Sequence, residues 1–179
     1  MKTRWIDINK GDTENVNIRS RFVAKEFNTG EEAGLFAATP PLEALRFLVS
    51  KAATQQEGER RGEAVIMISD VARAFFEAPV KREICIELPK EDKTEEDNEE
   101  DMVGLLQMSL YGTRDAAINF QQEVATFMER LGFMQGQYNP CTFWHAQRQL
   151  RTLVHGDDFV TQGGRQEVEW LKQRMMERF

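Results

Sequence analysis

The sequence is short of cysteine, of long apolar runs and of excess positive charge, and each shortage narrows what the chain can be. Two cysteines, Cys85 and Cys141, in 179 residues exclude a disulfide framework and fit reduced thiols in an intracellular setting. No apolar stretch approaches the roughly 18 residues that a membrane span requires. The opening MKTRWIDINKGD is polar and lacks the apolar centre of a signal peptide, so the expected location is intracellular, cytoplasmic or nuclear. Basic residues do not predominate either, since the formal net charge is -7. Taken globally, that argues against a nucleic-acid partner. The charge is local, however. Eight acidic residues and one lysine fall within residues 91–101, which accounts for the whole -7, and the other 168 residues carry 22 charges of each sign. The body is neutral, and EDKTEEDNEED reads as a solvated, disordered loop. There is no internal repeat and no linker, so a chain of this length is expected to form one compact α+β unit.

What is present is an ordered series of strand and helix patterns. Trp5, Ile6 and Ile8 precede the polar turn NKGDTENVN, and Ile18, Phe22 and Val23 follow it, which predicts a hairpin with Arg19 and Arg21 on its second strand. Residues 28–38, with Gly30 and Gly34, read as loop. Thr39 and Pro40 then open a helix in which Leu42, Leu45, Leu48, Val49 and Ala52 recur at helical spacing. After the polar break QQEGERRGE, the run AVIMIS predicts a buried strand ending at Asp70. ICIEL and VGLLQM are further strand candidates. Phe120, Val124, Phe127, Met128 and Leu131 form one stripe of a helix closed by Gly132. TFWHA and LRTLV flank the polar triplet Gln147, Arg148 and Gln149 as a hairpin. LRTLV leads into His155, Gly156, Asp157 and Asp158 and then Phe159 and Val160, a strand, tight turn and strand. Val168, Leu171, Met175 and Phe179 mark one face of a last helix. Met108, Met128 and Met134, like Trp5, Trp144 and Trp170, are expected to pack in the interior.

Adjacent aspartates between apolar strands repel, and each raises the other's pKa unless a cation intervenes. A hard divalent ion such as Mg²⁺ suits carboxylate oxygens and completes its shell with water and substrate phosphates. Asp70, at the end of another apolar strand, is a third candidate ligand. Cys141 and His145 have a spacing found in zinc sites but lack a second pair, and His155 beside the carboxylates is a weak candidate base.

The segments ISDVARAFFEAPV, SLYGTRDAAINF and LVHGDDFV, in that order and at these separations, resemble motifs A, B and C of reverse transcriptases, specifically those of Ty1/copia-type retrotransposons. WIDINKGD followed by RSRFVAKEF resembles the fingers hairpin of the same family, and the terminal helix stands where motif D belongs. The resemblance implies a polymerase palm, an antiparallel sheet backed by helices, with an N-terminal fingers subdomain. Fingers would span about residues 1–60 and palm about 61–179, with the acidic loop at 91–101. It implies an RNA-directed DNA polymerase, active on an RNA or DNA template with primer and on deoxynucleoside triphosphates, with two Mg²⁺ ions.

Residue by residue, the resemblance makes Asp70, Asp157 and Asp158 the metal triad, with Asp70 and Asp157 as main ligands and the Val71 carbonyl assisting. Backbone amides around Arg73 and Ala74 would face the triphosphate, Phe75 would be the steric gate beneath the sugar, and Arg21, with Arg19 second, would contact triphosphate oxygens. Tyr111 and Gly112 would line the nucleotide and template base, with Arg114 near phosphate. Motif C here has His155 in place of the usual aromatic, followed by Gly156, and motif B has Ala117 where proline is usual. Thumb and RNase H counterparts are not expected, which suggests a fragment of a longer Pol polyprotein. Two alternatives stand beside this reading: a catalytically silent element-derived chain with at most nucleic-acid binding, and a palm-fold nucleotidyl cyclase.

Overall fold

The computed structural model describes residues 1–27, 30, 35–54 and 64–179. The polar break QQEGERRGE and Gly34 lie outside the described residues. Where one compact unit was expected there are two, each made from two stretches of chain: Met1–Leu35 with Phe75–Phe120, and Phe36–Ala74 with Gln121–Phe179.

In the first unit, β1 (Thr3–Asn9) and β2 (Ile18–Ala24) form the expected antiparallel hairpin. Asn9 and Asp12 organise its turn: Asn9 Oδ1 accepts from the amides of Gly11 and Asn17, and Asp12 Oδ1 from those of Glu14 and Asn15. The Asn15 and Glu14 amides hold the Asp12 carboxyl below its ordinary pKa. A second pair, β3 (Cys85–Glu87) and β4 (Val103–Leu105), is also antiparallel. Ala24, Ile84, Ile86 and Leu110 form a buried cluster in this unit.

Between β3 and β4, part of the acidic segment departs from the disordered loop expected of it. Glu95–Glu99 is a short helix, α2, capped by Thr94, whose hydroxyl accepts from the Asp97 amide while Asp97 accepts from the Thr94 amide. Such a reciprocal cap satisfies two orphan donors, and acidic residues in the first turn suit the helix dipole. The solvated character holds, since α2 buries no residue.

The second unit is built on a five-stranded antiparallel sheet. Its edge strand β5 (Ala64–Asp70) pairs with β6 (Asp158–Gly164), which is followed across the sheet by β7 (Leu150–His155), β8 (Thr142–His145) and β9 (Met134–Gln135). The helix α1 (Leu42–Thr54) starts two residues beyond Pro40, so Thr39 and Pro40 precede it rather than open it, and it buries Leu48 with Cys141 and Leu153. The terminal helix α3 (Arg165–Arg178) buries Val168, Leu171 and Met175. The remaining helix α4, Ala116–Arg130, runs from one unit into the other, and Gly132, with φ 92°, ends it as expected.

Strand β5 is less buried than its apolar run implies. Ile66 is 37% and Ile68 75% exposed, whereas Met67 and Ser69 on the alternate face are partly covered, Ser69 Oγ lying 4.0 Å from Met175 Sδ. Among the described residues the face of Ile66 and Ile68 is the less covered one, and by alternation it is also the face of Asp70. The methionines and tryptophans divide similarly. Met128 is fully buried, while Met108 and Met134 are exposed, as is Trp5. Trp144 and Trp170 lie half-buried, under the guanidinium groups of Arg151 and Arg148 at 4.2 and 3.7 Å from the ring centroids. Among the described residues no helix is long and apolar enough to cross a membrane.

Candidate active site

The three aspartates singled out by the sequence lie at one end of β5 and β6. Antiparallel register places Asp70, the last residue of β5, opposite Asp158, the first of β6. The Val71 amide donates to the Asp157 carbonyl at 3.0 Å, tying the chain just beyond β5 to the turn that opens β6. That turn favours Gly156: its φ is 63°, a left-handed conformation strained for other residues, although a Cβ there would have open space. His155 pairs with Asp158 in register across β7 and β6.

All three carboxylates are exposed to solvent. Among the described residues none of them has a hydrogen-bond or ion-pair partner. Their oxygen donors and uncompensated charge have the chemistry of a hard-cation site. The register gathers two of them and adds the third through the turn, but among the described residues no three His, Cys, Asp or Glu side chains converge as a ready metal-binding group.

The hollows around this strand end are modest. A cleft of about 340 Å³ is lined by Pro40, Leu42, Ile68, Leu153, His155 and Asp158, and one of about 210 Å³ by Asp70, Val71, Lys172 and Met175 among others. A larger apolar hollow of about 550 Å³ lies against Phe47, Leu48, Met134 and Trp144. It contains no carboxylate, so charge and register, rather than volume, locate the chemistry.

Beyond Asp70 the chain turns sharply. Val71 and Ala74 are buried, and between them Arg73 is exposed with φ 58°. A left-handed conformation costs a side-chain-bearing residue about 1–2 kcal/mol, and such strain persists only where surrounding structure enforces it. Arg73→Gly should therefore raise stability, by up to about 1 kcal/mol after the greater unfolded-chain entropy of glycine is counted. Chemical denaturation is the check, and a lower midpoint would show that the Arg73 side chain itself stabilises the turn.

In the other unit, Phe75 opens onto an aromatic cluster. Its ring centroid is 4.5 Å from that of Tyr111 and 6.5 Å from that of Phe120, and Phe76 meets Tyr111 edge-on at 5.8 Å. Phe75 and Tyr111 are half-buried. Gly112 has φ 89°, and a Cβ there would stand 2.1 Å from the Ala24 carbonyl oxygen. Its close neighbour is thus the end of β2, whose Ala24 amide donates to the Tyr111 carbonyl at 2.8 Å. On β2, half-buried Arg21 pairs with Ile6 and exposed Arg19 with Ile8.

Reading by motif missed a polar cluster beside this contact. Arg82 donates from Nε and Nη2 to the two Asp115 oxygens, both at 3.0 Å, and from Nη2 to Glu26 Oε2 at 2.6 Å. Glu26 Oε2 also accepts from the Arg114 amide at 2.7 Å. Asn119 Nδ2 continues the network to Ser109 Oγ and Asp115. Hydrogen bonding to Arg82 holds Glu26 below its ordinary pKa against the opposing effect of burial. Burial pushes Asp115 up, but the bonds from Arg82 and the Asp115 and Asn119 donors outweigh it, and the net shift is downward. Arg82 is raised in turn by both carboxylates.

Two depressed carboxylates have a definite linkage sign. Folding stability from them is fully present above their unfolded values of about 4 and is lost as pH falls through the lower folded values. Arg82→Gln should therefore flatten the acid limb of a stability-against-pH curve below about pH 4. Equal acid limbs in wild type and variant would show that the pair contributes nothing through ionisation.

The Cys141 and His145 pair does other work. Cys141 Sγ donates to the Ala38 carbonyl at 3.2 Å and accepts from Gln121, and burial raises its pKa. His145 is packed edge-on between Phe133 and Trp170.

A family profile described as reverse transcriptase (RNA-dependent DNA polymerase) matches the chain over residues 1–179. No curated protein matches it.

Proposed function

Since the chain belongs to the reverse transcriptase (RNA-dependent DNA polymerase) family, we propose that it is the catalytic portion of a Ty1/copia-type enzyme, transferring deoxynucleotides to a primer 3′-hydroxyl on an RNA or DNA template. The observation that carries this reading is the facing pair Asp70 and Asp158 with Asp157 in the adjoining turn. Asp70, Asp157 and Asp158, helped by the Val71 carbonyl, would hold two Mg²⁺ ions. When bound, such ions supply activation of the primer hydroxyl and neutralisation of charge on the triphosphate.

The remaining roles belong to the protein's own groups. Arg21, with Arg19 second, brings positive charge to the triphosphate, and the amides of Arg73 and Ala74 donate to its oxygens. Phe75 stacks beneath the sugar and excludes a 2′-hydroxyl. Tyr111 and Gly112 form the floor for the base. Positioning and preorganised charge are the main sources of rate in phosphoryl transfer of this type. In this reading fingers occupy about residues 1–60 and palm about 61–179, and the enzyme works inside the cell, in cytoplasm or nucleus.

A second reading, an inactive retrotransposon-derived chain with at most nucleic-acid binding, draws support from one observation: the three carboxylates do not converge as a ready ligand group among the described residues. Primer extension on an RNA template with Mg²⁺, run beside a cyclase assay, separates the classes. An elongated primer with release of pyrophosphate is expected; a cyclic nucleotide product would replace this reading with the cyclase one.

A further inference from the structure

We propose that Arg82 is a positioning residue for nucleotide binding, a clamp that holds the β1–β2 hairpin against the turn carrying Tyr111 and Gly112. This rests on the polymerase reading above. Among the described residues several contacts join the two segments. The Ala24 amide donates to the Tyr111 carbonyl at 2.8 Å. Gly112 approaches the Ala24 carbonyl so closely that a Cβ would stand 2.1 Å from it. Glu26, two residues past the end of β2, accepts from the Arg114 amide at 2.7 Å. Arg82 grips Asp115 with two hydrogen bonds and Glu26 with a third.

The approaches of Ala24 to Tyr111 and Gly112 are made by backbone, whereas the contacts of Glu26 and Asp115 run through carboxylates that Arg82 bridges. Glu26 and Asp115 repel, since the Asp115 charge raises the Glu26 pKa, and their side chains are only 13% and 6% exposed. Water therefore screens them poorly. One guanidinium, planar and permanently charged, neutralises both carboxylates at once. Without it, two poorly solvated like charges would push apart the segments that bear Arg21 on one side and Tyr111 on the other. The clamp touches no substrate in this account. It fixes the distance between groups that do.

The test measures dTTP binding in the presence of Mg²⁺ by the whole chain with a 3′-dideoxy-terminated primer on an RNA template whose next base is adenine, with thermal unfolding recorded for each variant. Arg82→Gln should weaken dTTP binding roughly 3- to 30-fold, the range of coupling effects carried by residues that do not contact ligand, and Arg82→Lys should fall between it and wild type. The double variant Arg82→Gln/Asp115→Asn should recover affinity relative to Arg82→Gln, because it removes the repulsion. Affinity is read well below the Tm of every variant, so that a loss caused by unfolding is separated from a loss of positioning. Val168→Ala, which shortens a buried side chain of α3, serves as the stability control and should leave the affinity unchanged. Wild-type affinity in Arg82→Gln, no recovery in the double variant, or equal weakening in Val168→Ala would each overturn the clamp while leaving the polymerase reading intact. A wild-type chain that binds no dTTP would overturn the polymerase reading and the clamp's role with it.

Discussion

Asp157→Asn should reduce primer extension by more than about 100-fold, the upper end of losses seen when only the partners of metal ligands are changed, while the chain remains folded. The carboxylate is exposed and has no partner among the described residues, so its replacement breaks no packing or ion pair. The structural tie at this position is the bond from the Val71 amide to the Asp157 backbone carbonyl, which asparagine keeps. Removing one of three neighbouring negative charges also relieves repulsion, so Tm in the metal-free protein should stay level or rise. Extension by the folded variant at near wild-type rate would remove Asp157 from the active site. A loss of activity accompanied by a large fall in Tm would point instead to a structural role.

The second large effect concerns sugar choice. Phe75 is half-buried against Tyr111, and in the proposed role its ring occupies the space that a ribose 2′-hydroxyl would enter. Phe75→Val should shift the ratio of kcat/KM for ribonucleotide over deoxynucleotide by about 10- to 200-fold, the scale on which small changes in pocket volume discriminate substrates. The same substitution should cost roughly 1–3 kcal/mol of stability, because it leaves a partly filled space and loses the contact with Tyr111. An aromatic that merely packs predicts the stability loss alone. An unchanged ratio in a folded, active variant would eliminate the gate.

How much of this was legible beforehand depends on the range of the interactions involved. Local pattern was enough for the hairpin, for α1 and α4, and for the strand that ends at Asp70, because each follows from neighbouring residues: an apolar period, a turn rich in Asn and Gly, a closing Gly132. The cap on α2 was present in the sequence as Thr94 followed three residues later by Asp97, but the density of charge around it favoured a loop. Burial was less legible. Ile66 and Ile68 sit in a run that reads as interior, yet the face they share is exposed, because what packs on a strand face is decided by elements distant in sequence. The Asp70 and Asp158 pair could be guessed from the motifs, whereas its register could not. Least legible was the Arg82 cluster. Glu26, Arg82 and Asp115 occupy no recognisable spacing, and each alone looks like an ordinary surface charge. Only the fold brings them together.

The central claim is template-directed DNA synthesis, and single-nucleotide incorporation tests it most directly. A primer annealed to RNA templates that differ only in the next base is offered each of the four deoxynucleoside triphosphates in turn, with Mg²⁺, and the primer length is read after each. The account predicts extension by one residue with the complementary nucleotide only, on every template, and its loss on Asp157→Asn substitution. Addition that ignores the template base, or that survives in the folded Asp157→Asn variant, would contradict it.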